Sequence, residues 1–520
     1  MRTRKVFVAI AVALTAIATS CGSSGSGSGG GGSSGGSVGG ADKVLRTAFN
    51  EDVGNIDPDN NFEVEGLGMI EAMYQGLLQY APGTNHIEGL LAKSWTASAD
   101  AKTFTFQLRT GVKFHDGSTM TSANVKQSFE RRVHNQDFFT GYFLGDVKSI
   151  QTPSPSTITV TLNHSNYGFL DSLCSPWGPK VIGPQAFTPA HVDGKDASKT
   201  WLSKHEDGTG PYVLTTYDRG NEYSLRRFAD YWGPKPYFNG YDIKIIPSLE
   251  QEILQLRAGQ LDFVDQYPFQ QLGQVPAPLK VLSWNTLGME LAIVNTHRIT
   301  STAEREKIAA AINPQSWVSQ AYSGYAAPAL SNYAKTMLTP STPWAYPQLS
   351  SFKNVHVPAL TVAYASDDIS LQSQAADEII AKLQAAGISA SARVMPTAQF
   401  DNTAQAPAKG PDISLVHFYP DDAFPGSLAY LVFQCGTPLN YLGYCNKQAD
   451  TLFNAGFTNP SAPGRSQQFL QGAKLGFDAG SFLGLADLKD VIVYRPGLSN
   501  LVTYPVLPWN FDYALATARP

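Results

Sequence analysis

Only one stretch of this chain is long and apolar enough to interact with a membrane, and it lies at the extreme N-terminus. It covers the 13 residues 6–18 and follows the basic residues Arg2, Arg4 and Lys5. A membrane-spanning helix needs about 20 such residues, so this stretch is too short to cross a bilayer comfortably. A basic segment before a short apolar one is typical of an export signal. A polytopic membrane protein is therefore excluded, and the rest of the chain has to bury its apolar residues in a core of its own.

Small residues precede the first cysteine, in the sequence Ala18-Thr19-Ser20-Cys21. This resembles a bacterial lipobox, in which the cysteine is joined to diacylglycerol and becomes the new N-terminus. The alternative is ordinary cleavage after Ala18, at the A-x-A site of residues 16–18. We expect a lipoprotein signal peptide over residues 1–20 and a lipid on Cys21.

The segment after Cys21 has the composition of a flexible tether. Residues 22–40 consist of 11 glycines, 7 serines and Val38. Such a segment cannot bury a core, and its root-mean-square span is roughly 20–30 Å for a glycine-rich random coil. We therefore interpret residues 21–41 as lipidated cysteine plus tether, and expect the folded body to begin at Asp42.

Composition limits the function classes that remain. With 520 residues, 43% of them apolar, the chain can form a sizeable core with more than one lobe. Its net charge of −5 becomes about −8 once the three basic residues of the leader are removed, which disfavours nucleic-acid binding. The folded part has no nucleophile elbow, P-loop or zinc-ligand spacing, so the motifs predict neither catalysis nor a metal.

Alternating apolar residues predict an antiparallel region in the first half of the body. Residues 103–108 and 157–162 alternate strictly, which is typical of half-buried strands. Residues 112–115 are predicted as the partner strand of 103–108, before the turn pair Asp116-Gly117. Residues 212–217 and 223–227 are predicted to pair with each other.

Helical patterns and one β-α-β unit dominate the second half. Residues 67–78 and a segment capped by Thr121 or Ser122 show helical spacing, and Ser248 and Ser301 each begin a capping box. Residues 360–364 and 388–394 flank a helix that ends at Gly387, which predicts parallel strands joined by a crossover. The fold class is therefore mixed α/β with more than one lobe.

Four sequence blocks in a fixed order resemble the family 5 extracellular solute-binding proteins, the oligopeptide- and dipeptide-binding components of ABC importers. The blocks are Leu91-Ala92-Lys93-Ser94-Trp95 with residues 103–117 and 128–131; Gly208-Thr209-Gly210-Pro211-Tyr212 with residues 230–236; Asn295 with residues 306–313; and Phe418-Tyr419-Pro420-Asp421-Asp422 with residues 441–446. Together they cover nearly the whole chain after residue 42.

The resemblance implies a two-lobed periplasmic-binding-protein clamshell (type II, cluster C) with an extra inserted subdomain. Its first lobe would be discontinuous and comprise residues 42–80, 190–296 and 481–520. The inserted subdomain would be residues 81–189, and the second lobe residues 297–480. Ligand would be enclosed by hinge closure between the lobes.

The implied function is capture of a peptide outside the membrane and its delivery to ABC permease subunits. The protein would be a monomer held by its lipid anchor at the outer face of the bacterial cytoplasmic membrane, with no cofactor and no enzymatic activity. The same fold with an oligosaccharide or other non-peptide solute is the first alternative. A surface receptor without a transporter and, from another class, a secreted hydrolase are the others.

The resemblance also implies a position for the ligand's α-ammonium group. Asp421 and Asp422 occupy the family's Tyr–Pro–Asp segment, where an aspartate pairs with that group in peptide-binding members. A desolvated ammonium needs a charged acceptor, because its burial otherwise costs several kcal/mol. Phe418 and Tyr419 belong to the same segment. The proline that usually follows the aspartate is missing, since Ala423 follows Asp422.

Further candidate ligand contacts are aromatic residues near the expected lobe junctions and polar residues after the first strand. They are Trp177, Tyr267, Trp284, Asn50 and Asp52, with a core or surface role as the alternative for each. Cys435 and Cys445 are expected to form a structural disulfide in an exported chain, which leaves Cys174 as a buried thiol. Some relatives bind nickel or haem, but no histidine pair here indicates either.

The lipid anchor predicts the behaviour of one substitution. Cys21→Ala should move the protein from the membrane fraction to the soluble fraction, because it removes the acylated sulfur. Fractionation of cells expressing each form, followed by immunoblotting, measures this, with Cys174→Ala as the matched control that stays in the membrane fraction. Retention of the Cys21→Ala variant in membranes would disprove the lipobox interpretation.

Overall fold

The computed structural model describes residues 38–40, 42–64, 66–135, 138, 140–192, 198–265, 267, 269–366, 369–437 and 439–519. Its strands, in chain order, are β1 (Val44–Phe49), β2 (Leu78–Tyr80), β3 (Ile87–Gly89), β4 (Ala92–Ala97), β5 (Thr103–Leu108), β6 (Val147–Ser154), β7 (Thr157–Leu162), β8 (Tyr212–Asp218), β9 (Glu222–Arg227), β10 (Gly240–Ile245), β11 (Phe263–Val264), β12 (Lys280–Val294), β13 (Ala326–Pro328), β14 (Leu360–Ala365), β15 (Ala390–Met395), β16 (Ile413–Phe418), β17 (Phe482–Tyr494), β18 (Leu498–Ser499) and β19 (Thr517–Ala518).

The α-helices are α1 (Leu67–Met73), α2 (Ser122–His134), α3 (Phe169–Ser172), α4 (Lys199–Leu202), α5 (Leu249–Arg257), α6 (Thr302–Ile312), α7 (Val318–Ala321), α8 (Ile369–Ala385), α9 (Thr397–Asp401), α10 (Pro425–Leu428), α11 (Lys447–Thr458) and α12 (Ala462–Asp478). Short 3₁₀ turns include Gly141–Leu144, and a π-helical turn covers Ala429–Phe433. Within the described residues no helix is long and apolar enough to cross a membrane.

Three main sheets organise the chain. The first sheet has the order β1-β10-β9-β8, and the second sheet has the order β4-β5-β7-β6 and is antiparallel throughout. The large sheet has seven strands in the order β11-β17-β12-β16-β14-β15, with β13 paired to β17. Because β4–β7 are consecutive in sequence, the second sheet is a local insertion between the β1 and β8–β10 segments of the first.

Strands β12 and β17 join the two ends of the large sheet. Residues 280–285 pair with residues 489–494, and after a change of register residues 289–293 pair with residues 482–487. At one end Ile492 lies in the apolar core of the first sheet. At the other end Met289 and Leu291 lie in a core with Phe453 of α11. We call the part of the body around the core of the first and second sheets and the part around the core with α11 the two halves. The β12–β17 pair contributes residues to the cores of both.

Most of the predicted elements are confirmed. Residues 103–108 and 157–162 form β5 and β7, and β8 pairs antiparallel with β9. The hydroxyls of Ser248 and Ser301 accept hydrogen bonds at the N-termini of α5 and α6, and Thr121 caps α2. Strands β14 and β15 are parallel and joined through α8. Asp367 and Asp368, which the sequence offers as N-cap residues of α8, lie outside the described residues.

Two local predictions are wrong. Residues 112–115 are not a partner strand of β5, because both edges of β5 are taken by β4 and β7. The chain instead folds back on itself, since the Phe114 amide donates to the Ser118 carbonyl at 2.9 Å and Gly117 adopts a φ of 88°. The helix expected over residues 67–78 ends at Met73, and Leu78 already belongs to β2.

The aromatic residues of the first sequence block are packed in the core. Phe104, Phe106 and Phe114 are buried in the core of the second sheet, and Trp95 packs against it. The body also begins before Asp42. Val38, the one apolar residue of the glycine–serine segment, is buried in the core of the first sheet.

A buried ion pair connects the second sheet region to the first. The side chains of His115 and Glu206 are 4% and 5% exposed, and Nδ1 lies 2.6 Å from the carboxylate. Nε2 lies 3.0 Å from the Gly210 carbonyl oxygen. Both partners are acceptors, so both ring nitrogens donate and the imidazole is protonated. Burial lowers the pKa of His115, but attraction to Glu206 and these hydrogen bonds outweigh it and raise the pKa above its ordinary value.

This pair predicts a pH-dependent stability. Because the folded-state pKa of His115 is raised, its contribution is complete below about pH 6.5 and is lost as the pH rises through the folded value. Glu206→Gln should therefore lower the free energy of unfolding by roughly 3 kcal/mol at pH 6, and by less at pH 8, where the imidazole is free to be neutral. Urea denaturation at both pH values measures the difference.

The exposed pair of Lys113 and Asp230, 2.6 Å apart, supplies the control. Asp230→Asn should cost less than about 1 kcal/mol at either pH, because water screens the pair. Burial raises the pKa of neighbouring Asp207 to about 7. Its ionisation therefore also lowers the stability of the wild type as the pH rises. A Glu206→Gln cost that does not fall between pH 6 and pH 8 would contradict a protonated His115.

Candidate functional site

Three carboxylates lie close together where the second sheet region meets the large sheet. Asp421 and Asp422 follow β16 after Tyr419 and Pro420, and Asp171 belongs to α3. Asp171 and Asp421 each repel Asp422 electrostatically. We call Asp171, Asp421 and Asp422 the carboxylate cluster. It contains both aspartates predicted from the sequence and one that the sequence did not indicate.

Neutral groups supply the hydrogen bonds of the cluster. Asp422 accepts from the Ser427 hydroxyl at 2.7 Å and the Phe424 amide at 3.0 Å. Asp171 accepts from the Tyr80 hydroxyl at 2.9 Å, and Asp421 accepts from the Tyr142 hydroxyl. Asp421 and Asp422 are 8% and 1% exposed. The carboxylate groups of these two residues are therefore almost completely shielded from water.

No cation of the described chain forms an ion pair with the cluster. The nearest electrostatic influence is that of Arg465, which acts on Asp171 without contacting it. The Arg465 guanidinium instead lies 4.8 Å from the centre of the Tyr167 ring. Buried charges in proteins are normally paired, so three carboxylates without a contacting cation are unusual.

Burial dominates the acidity of the cluster. It raises the pKa of Asp421 to about 6, against the hydrogen bond from Tyr142. It raises the pKa of Asp171 to about 6, against the bond from Tyr80. It raises the pKa of Asp422 well above its ordinary value, and repulsion from Asp171 adds to the effect. A cation placed among these groups would reverse the shifts, because it favours the ionised form.

The cluster lies at a contact between the two halves of the body. Besides Tyr142, Tyr80 crosses this contact, since its hydroxyl accepts from the Ala423 amide at 3.0 Å. Nearby, the Asn85 side chain donates to the Thr336 carbonyl at 2.6 Å. These hydrogen bonds link residues 80–142 to residues 336–423 around the cluster.

A second group of predicted residues surrounds Asp490 of β17. The Tyr419 hydroxyl donates to one carboxylate oxygen of Asp490, and the Trp509 amide donates to the other at 2.7 Å. Trp284 lies opposite Asp490 in the β12–β17 ladder. Burial raises the pKa of Asp490 to about 6. The only sequence signal for Asp490 is a charge next to the apolar run of residues 491–493.

The other predicted contacts lie apart from these groups. Phe418 and Tyr267 are packed in apolar cores, at 7% and 4% exposure. Trp177 is buried against Leu67 and Phe143, the residue after Tyr142, and its indole N–H has no hydrogen-bond partner in the described part of the chain.

Asn50 and Asp52 follow β1 and are half-buried. Asp52 accepts from Arg219 at 3.0 Å and from the Tyr223 hydroxyl. Burial raises the pKa of Asp52, but these hydrogen bonds outweigh it and the pKa is lowered overall. The structure thus gives Asp52 a partner cation that Asp421 lacks.

The cysteines and the possible metal ligands were also considered from the sequence. Cys435 and Cys445 form a disulfide, and Cys174 is a buried free thiol. Cys21 lies outside the described residues. Among the described residues no group of three or more histidine, cysteine, aspartate or glutamate side chains is arranged to hold a metal ion.

Comparisons with known proteins agree with this architecture. The family described as bacterial extracellular solute-binding proteins, family 5 Middle, matches residues 86–439. The probable D,D-dipeptide-binding periplasmic protein DdpA of Escherichia coli K12 is 26% identical over 490 residues, which are 89% of this chain and 92% of that protein.

Two solved structures share the fold. DppA of Helicobacter pylori, an ABC transporter-associated periplasmic binding protein in complex with the peptide STSA, has a TM-score of 0.74 at 20% identity, over 92% of this chain and 98% of that one. The ABC transporter substrate binding protein CtaP of Listeria monocytogenes has a TM-score of 0.81 at 20% identity, over 91% and 99%. The two-lobed clamshell predicted from the sequence is confirmed.

The raised pKa of Asp421 predicts an increase in stability on neutralisation. Asp421→Asn keeps an acceptor for Tyr142 but carries no buried charge. At pH 7.5 it should raise the free energy of unfolding of the ligand-free protein by on the order of 1–3 kcal/mol, the equivalent of about two pKa units. The gain should vanish near pH 4, where Asp421 of the wild type is itself protonated. Urea denaturation at pH 4, 6 and 7.5 measures it.

Asp52→Asn is the control, and we expect it to change the free energy of unfolding in the opposite direction. The pKa of Asp52 is lowered, so its charge stabilises the fold at pH 7.5 and the variant should be less stable than wild type. If both variants are destabilised at pH 7.5, the uncompensated charge of Asp421 is disproved.

Proposed function

This chain belongs to the family 5 bacterial extracellular solute-binding proteins, and we propose that it captures peptides between its two lobes for an ABC importer. The observation that carries the proposal is the carboxylate cluster. Asp421 and Asp422 are buried at the contact between the two halves without a cation, and burial raises the pKa of both. The α-ammonium of a peptide would supply the missing charge.

The energetics of an ammonium favour this position. An ammonium that leaves water loses several kcal/mol of solvation, and contact with a carboxylate restores it only in good geometry. Among the residues that the structure describes, Asp421 has one hydrogen-bond partner, the Tyr142 hydroxyl, so its other oxygen would be available to a ligand. Because that oxygen is covered when the halves close, the ammonium would favour the closed state over the open one.

The peptide class has further support from relatives. The Escherichia coli protein is named for D,D-dipeptides, and the Helicobacter pylori structure holds the peptide STSA. A neutral oligosaccharide would leave the carboxylates without a counter-charge, so the cluster favours an amine-bearing solute. The ligand side chains would contact aromatic walls, for which we propose Tyr419, Trp284 and Trp177.

The remaining candidates have weaker support. The packing of Phe418 and Tyr267 favours a core role, and the ion pair of Asp52 with Arg219 favours a structural one. Asn50 follows β1 and begins the loop that contains Asp52. We retain these four as residues that shape the site rather than as direct contacts.

For the lobes we propose the division predicted from the sequence. We propose residues 42–80, 190–296 and 481–520 as the first lobe, residues 81–189 as its inserted subdomain, and residues 297–480 as the second lobe. By these bounds both β12 and β17 belong to the first lobe, yet Met289, Leu291 and Phe482 pack in one core with Phe453 of the second lobe, so the two strands would contain the hinge. Bending near residues 286–288, where the ladder changes register, would open the cleft.

The cellular setting is part of the proposal. A signal peptide over residues 1–20 and a lipid on Cys21 would hold the protein at the outer face of the cytoplasmic membrane. The glycine–serine tether would let the body reach permease subunits in the same membrane as a monomer. No catalytic step is proposed, in keeping with a solute-binding family.

A matched pair of peptides tests the ammonium site. Tetra-alanine and its N-acetyl derivative differ in the α-ammonium and little else. By isothermal titration calorimetry at pH 7.5, tetra-alanine should bind and the acetylated form should bind at least about tenfold more weakly, the effect of a lost charged hydrogen bond. Asp421→Asn should weaken tetra-alanine by about 2–5 kcal/mol and should not weaken the acetylated peptide further.

The Asp230→Asn variant, which alters only the exposed ion pair with Lys113, should bind both peptides as the wild type does. Equal affinity for the two peptides in the wild type would contradict ammonium recognition by the cluster. Loss of both peptides in Asp421→Asn, to the same extent, would indicate a structural role for Asp421 instead.

A further inference from the structure

A separate cavity lies beside α1, and none of the three residues of the carboxylate cluster lines it. Its volume is about 530 Å³, within the range of small-molecule sites. The walls come from α1, the β2–β3 hairpin, residues 231–234 and the C-terminal residues 504–515. None of the lining residues lies between residues 297 and 480. The cavity is therefore enclosed without the segment that carries Asp421 and Asp422.

Three carboxylates line one side of this cavity. They belong to Glu71, Glu88 and Asp512, and all three act electrostatically on the Tyr504 hydroxyl. Glu71 forms an ion pair with Lys180. Within the described part of the chain Asp512 accepts from neutral donors, among them the Tyr504 hydroxyl at 2.9 Å and the Ala514 amide at 2.8 Å.

The cations near the cavity do not balance these acids. Glu88 accepts from the neutral amide of Gln79 at 2.5 Å. Arg109 lies over the Trp232 ring, 4.9 Å from its centre, and its Nε donates to the Leu90 carbonyl at 2.6 Å. Three carboxylates against Arg109 and Lys180 leave an excess of one negative charge. A single positive charge would neutralise the cavity.

Aromatic rings form much of the remaining wall. They belong to Tyr231, Trp232, Tyr504, Phe511 and Tyr513. Tyr513 is 2% exposed, and its hydroxyl has no hydrogen-bond partner among the described residues. The carboxylate that acts electrostatically on this hydroxyl is Asp265, which does not line the cavity, so Tyr513 contributes its ring to the wall. Aromatic faces also attract organic cations and cover apolar carbon.

We propose that this cavity is a second binding site, for a small organic ammonium ion with an apolar body. The ammonium would lie near Asp512 and Glu88, and the apolar body would lie against the aromatic rings. The proposal does not depend on what the interlobe site binds. Tyr80 lines the cavity while its hydroxyl bonds to Asp171 and Ala423, so an occupant would contact a residue of the interlobe contact.

The test uses compounds that share one apolar body and differ in charge. Phenethylamine, 2-phenylethanol and phenylacetate are titrated into the full mature body, residues 22–520, by isothermal titration calorimetry at pH 7.5. Phenethylamine should bind at one site. The alcohol should bind at least about tenfold more weakly, and the anionic acid should not bind, because only the amine supplies the missing charge.

Two variants locate the binding. Asp512→Asn and Glu88→Gln each remove one carboxylate, and each should weaken phenethylamine by about tenfold or more. Circular dichroism checks that they are folded. Should Asp512→Asn not fold, Glu88→Gln and the amine–alcohol comparison still decide the question. Asp230→Asn, a surface change, should bind the amine as the wild type does.

Three results would overturn the proposal. One is equal binding of amine and alcohol. Another is no detectable binding of phenethylamine at millimolar concentration. The third is binding that survives in Asp512→Asn and Glu88→Gln but is lost in Asp421→Asn, which would place the amine at the carboxylate cluster instead.

Discussion

The pairing of two long antiparallel strands, β12 and β17, is the constraint on which the rest of this structure depends. At one end the pair contributes Ile492 to the core of the first sheet, and at the other it contributes Met289 and Leu291 to the core beside α11 and α12. Between them the register changes at residues 286–288. Gly288 lies there because a Cβ would come 2.8 Å from the Tyr419 ring. In the proposed account the two halves open by bending these strands, and a ligand held between the halves favours the closed form.

That arrangement explains the unusual position of the carboxylate cluster. A protein interior tolerates charge when it is paired, yet Asp421 and Asp422 accept hydrogen bonds from neutral groups alone. Closing the two halves without a cation raises the pKa of these groups, and closing them around an ammonium would not. The same desolvation that destabilises the empty closed form therefore favours closure on a charged ligand. In this account affinity and conformational change have one physical origin, which is the hydration of two or three carboxylates.

Much of the fold could be predicted from the sequence, because its signals are local. Alternation identified β5 and β7, capping serines identified α5 and α6, and a helical stripe between apolar strands identified the β14-α8-β15 unit. Residues 112–115 were mistaken for a strand because apolar alternation does not show that both edges of β5 are already occupied. Val38 was assigned to a tether because one apolar residue among glycines and serines gives no pattern, although tertiary packing buries it.

The site was predicted only in part, and for a similar reason. Asp421 and Asp422 lie in a segment that resembles a family motif, so the sequence indicated them. Asp171 belongs to a helix of four residues with no periodicity, and Tyr142 lies in a 3₁₀ turn, so nothing local showed that they meet those aspartates. Asp490 was missed because a single acid in a strand is usually at the surface. Local sequence patterns do not show which residues from distant parts of the chain meet in the folded protein.

The central claim is that the two lobes enclose an amine-bearing solute, and the most direct measurement is the identity of what the protein carries. Residues 22–520 would be purified without denaturation, weighed by native mass spectrometry, and the bound species released and fragmented. The account predicts a set of peptide masses with free α-amino groups, and their loss from the Asp421→Asn variant. A neutral oligosaccharide or an N-blocked species, retained equally by the variant, would contradict it.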